Sequence, residues 1–96
     1  MQITKEVVFI AKNENIFELK ELLKTMVIPS QQEDGCLLYK IYQTKNKPAT
    51  FVVIETWEND AALNGHKNSS HYKHYKANFE QYTLDKFSNE LSDILL

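Results

Sequence analysis

Three histidines, His66, His71 and His74, lie close together in the second half of the chain. Imidazole is the side chain whose ordinary pKa lies nearest neutrality, so metal ligation and proton transfer are the chemistries to weigh. Steps of five and then three residues put at most two of them on one helical face. No carboxylate stands at a supporting helical position, and Cys36 is remote in sequence, so no metal site is expected. His71 and His74 read as solvated helix-surface residues. His66 differs, because it shares its face with Ala62 and Leu63, which should pack on a sheet. It is either a core histidine bonded to a strand partner or a base lining a cavity.

Other residues could join it. Glu55 alternates with Phe51, Val53 and Trp57, and a carboxylate among apolar neighbours is costly unless it is paired. It could fix His66, pair with a Lys or Tyr of a partner subunit, or reach the rim. Tyr39 and Trp57 each combine a ring for stacking with one polar handle. Tyr72, Tyr75, Phe79 and Tyr82 form an aromatic stripe at helical spacing, read as core. The chain carries no glycine-rich phosphate loop, nucleophile elbow or paired-cysteine motif.

The elements that must position these groups follow from periodicity. Residues 3–11 are rich in β-branched types and predict a strand. Asn15, with Glu18 three residues on, predicts a capping box. Ile16, Leu19, Leu22, Leu23, Met26 and Val27 then mark an amphipathic helix. Pro29 should kink or restart that helix, and Gly35 should close it. Residues 36–44 and 50–58 predict a hairpin across the polar linker 45–49. Val52, Ile54 and Thr56 make the second face of strand 50–58 apolar too, so both faces should be covered, one by helices and the other by a second subunit or a lid. Asn59 and Ser69-Ser70 predict the starts of two further helices. The tail predicts a strand near 86–93, completing a ferredoxin-like βαββαβ order in an α+β domain.

With 96 residues the chain has room for one domain, 1–96, and a core this small makes a homodimer a natural expectation. Its net charge of −2 and scattered lysines offer no basic stripe, so nucleic acid is not expected as a partner. Apolar runs such as 51–54 are too short to cross a membrane. The start, Met1-Gln2-Ile3-Thr4-Lys5-Glu6, lacks the order of a signal peptide, and lone Cys36 cannot form an internal disulfide. These features point to the cytoplasm, where the sequon Asn68-Ser69-Ser70 has no meaning.

Two segments resemble the antibiotic biosynthesis monooxygenase (ABM) family. Glu33-Asp34-Gly35-Cys36-Leu37-Leu38-Tyr39 is similar to the family's E-x-G-C-L-x-Y run. Phe51 to Glu58, then Ala61-Ala62-Leu63, His66 and Ser69-Ser70-His71-Tyr72, resemble F-x-x-x-E-x-W-E, A-A-L-x-x-H and S-P-H-F. Ser70 replaces the family's usual Pro. The resemblance implies a dimeric α/β-barrel with a cavity in each subunit. It also implies oxygenation of a small quinol-like or polyketide-like aromatic by dioxygen, without metal, flavin or haem. By that mapping His66 is the catalytic base, and Tyr39, Glu55, Trp57, His71, Tyr72 and Phe79 are substrate-binding candidates. Haem degradation is disfavoured, because haem-degrading relatives carry Trp where this chain has His66. A phosphorylated autoinducer sugar isomerase, whose histidine–lysine pattern His66-Lys67 and His71-Tyr72-Lys73 resemble, is the alternative. A non-catalytic ligand-binding dimer is the third reading.

Overall fold

The computed structural model describes residues 1–95. Its elements run β1 (Ile3–Ala11), α1 (Ile16–Gln31), β2 (Cys36–Gln43), β3 (Thr50–Trp57), α2 (Asp60–Lys67), α3 (Ser70–Asn78) and β4 (Thr83–Leu91). The four strands form one antiparallel sheet in the order β2-β3-β1-β4. Each crossover skips a strand: α1 carries the chain from β1 past β3 to β2, and α2–α3 carry it from β3 past β1 to β4. This is the ferredoxin-like arrangement the periodicity predicts. The tail strand begins three residues earlier than expected. Among the described residues no helix is long and apolar enough to cross a membrane.

The register stacks rows of side chains beneath the helices. One row runs Tyr39–Glu55–Lys5–Glu90 across the sheet, the next Ile41–Val53–Val7–Ser88, and the third Gln43–Phe51–Phe9–Lys86. Leu19, Leu22, Leu23 and Met26 of α1 close over the apolar part of these rows. Along β3, Phe51, Val53, Glu55 and Trp57 are all buried, while Val52, Ile54 and Thr56 on the other face stay partly open. That second face also presents Tyr42, Phe87 and Leu91 as exposed side chains.

Local signals were followed unevenly. Asn59 and Ser69 have extended backbones and their side chains accept the Ala62 and Tyr72 N–H groups at 2.9 and 3.2 Å, as helix caps do. The Asn15 capping box does not form. A 3₁₀ turn, Asn13–Asn15, leads into α1, and Asn15 at φ −125°, ψ 21° lacks the extended backbone that aims a capping side chain inward. Pro29 does not restart the helix. It sits in the last turn, where its missing N–H costs one bond and α1 runs on to Gln31. Gly35 lies beyond the helix cap Gln32 in the turn into β2, at φ +80°. A Cβ there would meet the Ala62 Cβ at 2.5 Å, so only glycine fits on both counts.

Candidate active site

Between the sheet and the helices lies a cavity of about 70 Å³, open at one side. Val7, Phe9, Leu23, Met26 and Val53 supply apolar wall, and Tyr39, Tyr72 and Tyr75 supply ring faces and hydroxyls. Besides those hydroxyls, its polar contributors are Glu55, His66, Ser88 and three lysines. By the one-water yardstick this space holds several waters, or one small ring after modest side-chain adjustment.

His66 is the buried residue of the short helix α2, 2% exposed. The Asn59 cap fixes where α2 starts, and this start turns His66 onto the sheet. Its ring lies 4.5 Å from the Trp57 ring at 33°, with Tyr72 edge-on at 5.1 Å and Tyr39 at 5.7 Å. Its Nδ1 bonds the Glu33 Oε2 at 2.6 Å. An ionised carboxylate only accepts, so Nδ1 carries the proton. The other nitrogen, Nε2, is then the ring's lone-pair atom. It makes no hydrogen bond to the described residues, on a side chain that lines the cavity. A ring held in that tautomer turns Nε2, rather than Nδ1, toward a guest.

Glu33 does more than hold one ring. The same oxygen accepts from His71 Nε2 at 3.0 Å. Ser69 closes the group: its hydroxyl donates to the His66 carbonyl at 2.6 Å and lies 3.2 Å from His71 Nε2. His71 is therefore not the solvated surface residue its spacing suggested, whereas His74 is exposed. The expectation that no carboxylate supports the histidines is likewise corrected. It considered helical spacing alone, and Glu33 arrives from the turn before β2. Glu33, His66 and His71 place ligand atoms within 4.8 Å of one another, a set that could hold a divalent cation. At 2.6 and 3.0 Å, however, they are bonded directly through protons, and an ion would have to displace both protons.

Glu55 is also buried, and its Oε1 accepts the Trp57 indole N–H at 2.7 Å. That bond stabilises a carboxylate which still lines the cavity. Burial, aided by Glu55, raises the Tyr39 phenol far above its ordinary range, and burial, Tyr72 and Glu55 do the same for Tyr75. Both stay neutral donors across physiological pH. Of the residues singled out from sequence, His66, Tyr39, Glu55 and Tyr72 line the cavity. Trp57, His71 and Phe79 stand behind the wall, stacked on His66, bonded to Glu33, and stacked on Tyr75 at 5.0 Å respectively. Sequence reasoning missed Glu33 as the partner of His66, although it opens the E-x-G-C run. It also missed Lys5 and Lys86, which nothing in the local pattern marks, whereas Lys67 was singled out through the isomerase-like pattern and does line the cavity.

Residues 3–78 match the antibiotic biosynthesis monooxygenase family. The chain belongs to that family. It is 36% identical over 59 residues to "Putative monooxygenase Rv0793" of Mycobacterium tuberculosis, covering 62% of this chain and 57% of that one. It is 27% identical over 73 residues to "Putative monooxygenase YcnE" of Bacillus subtilis, covering 73% and 77%. The match thus spans little more than half of the Mycobacterium protein's length. The crystal structure of PA3566 from Pseudomonas aeruginosa superposes with a TM-score of 0.93 at 28% identity, covering 97% of this ABM chain and 94% of that one.

Proposed function

We propose that this ABM chain is a cofactor-independent monooxygenase of small quinol-like aromatics, working as one domain in a homodimer. The observation that carries the reading is the His66 ring, pinned through Nδ1 by Glu33 with Nε2 unpartnered on an aromatic cavity wall. Nε2 takes a phenolic proton from the bound quinol. The electron-rich anion passes an electron to dioxygen, and the radical pair recombines at ring carbon as a peroxide that takes the proton back from His66. Loss of that carbon's hydrogen then breaks the O–O bond, leaving a ring carbonyl and water. Glu33 stabilises the imidazolium that forms, and the walls exclude water. The homodimer rests on the apolar second face of the sheet, where Tyr42, Phe87 and Leu91 are exposed.

Oxygen uptake with a panel of hydroquinones tests the oxygenase reading. Wild type should exceed autoxidation and His66→Ala should not; a wild type that adds nothing to autoxidation across the panel would falsify it. One observation favours the sugar-phosphate isomerase as a second reading: Lys67 lines the cavity beside His66. Lys73, the other lysine of that pattern, is exposed and does not line it. A phosphorylated ketose turned over without oxygen would establish that alternative.

A further inference from the structure

On β4, the edge strand opposite β2, Lys86 lines the cavity half-buried beneath α3. Its Nζ lies 4.9 Å from the Phe79 ring centre, 5.6 Å from Phe9 and 5.7 Å from Tyr75. Lys5 of β1 and Lys67 of α2 line the same cavity. Among the described residues none of the three has a carboxylate within salt-bridge distance. Lys5 stands in register between Glu55 and Glu90, yet neither closes on it. Burial, then Lys76 and Lys5, push the Lys86 pKa down, with Lys67 adding to them and only Glu55 opposing. The field at this ammonium is therefore dominated by other ammoniums. Holding like charges together at a partly desolvated site is unfavourable, and the aromatic faces offset only part of that cost.

We infer that the cavity is built for a small aromatic anion, a single ring whose carboxylate or phosphate is held by Lys86 with Lys67 and Lys5. The idea rests on the oxygenase reading only for the phenolic half of the guest. Glu55 fixes the orientation, since an anionic group must lie away from it and toward Lys86. The opposite edge of the ring then meets His66 Nε2. The modest volume favours one ring over a polycycle. A hydroquinone carrying an acid group satisfies both ends.

Isothermal titration of the intact protein with 2,5-dihydroxybenzoate, its methyl ester and phenyl phosphate tests this directly. At least one of the two anions should bind about tenfold more tightly than the ester, the gain of one charge-assisted contact. That advantage should shrink in high salt. Lys86→Met, which keeps the aliphatic packing, and exposed Lys67→Gln should each weaken anion binding and leave the ester unchanged. The better-bound anion identifies the headgroup. Equal binding of acid, phosphate and ester, no binding by any, or equal loss of anion and ester in Lys86→Met would overturn the inference. Anion binding without oxygen uptake would keep it and remove the oxygenase reading; turnover of neutral quinols with no preference for acids would do the reverse.

Discussion

The two ends of the cavity solve the burial of polar groups in opposite ways. At one end His66 is on the wall, and behind it Glu33, His71 and Ser69 complete a group joined by direct hydrogen bonds. At the other, Lys86 rests on three rings with no carboxylate of the described residues in salt-bridge reach. A satisfied network fixes geometry, as a base that must hold one tautomer requires. An unpaired charge stores attraction for something that arrives later. The contrast teaches that burial alone does not mark a functional residue; what its polar atoms are left wanting does.

Several measurements can break or sharpen that contrast. The largest effect belongs to His66→Ala, which should cost about 10²- to 10⁴-fold in quinol turnover while the fold persists by circular dichroism. Retained turnover would move the base elsewhere, with Glu55 the next buried carboxylate on the wall. Gly35→Ala should destabilise the protein by about 1–3 kcal/mol in urea melts, because it combines a left-handed backbone with a collision at Ala62. It should also lower activity, since Gly35 shapes the turn that delivers Glu33. Glu33→Gln keeps a hydrogen-bonding side chain but removes its charge, and a loss of about tenfold in kcat with little change in KM is expected. Nitrogen-15 spectra should show His66 as the Nδ1–H tautomer in wild type and a mixture in the variant. An unchanged spectrum would reduce Glu33 to packing.

The smallest effect is alkaline. The phenol of Tyr75 titrates higher in the folded protein than its ordinary value of 10.0, so the folded state holds more protons above that pH. Its contribution is complete below about pH 10 and is lost as pH rises further. Lys86, lowered from 10.5, has the opposite sign: stability gains as pH climbs through its folded pKa toward the unfolded one. Melting curves should therefore turn downward beyond pH 10 less steeply in Tyr75→Phe, and lose the preceding rise in Lys86→Met.

Much of this architecture could be read along the chain. Alternation in 50–57 and the 3.6-residue recurrence in 16–27 are local patterns, and each mapped onto the strand and helix it implies. His66 stood out because its helical neighbours Ala62 and Leu63 are apolar, a contrast visible within one turn. The motif around Glu33 to Tyr39 and Phe51 to Trp57 carried the family. The Asn15 cap failed because capping depends on a backbone conformation that residue type does not dictate.

What the sequence determined, then, was the order of elements, the buried face of each and the inward imidazole, since periodicity acts over a few residues. The tertiary structure alone decided the company that imidazole keeps. Glu33 and His66 are 33 positions apart, and Lys86 and Lys5 reach the same hollow from the two ends of the chain. Such pairings are set by crossover connections and strand register, and no local propensity encodes either one.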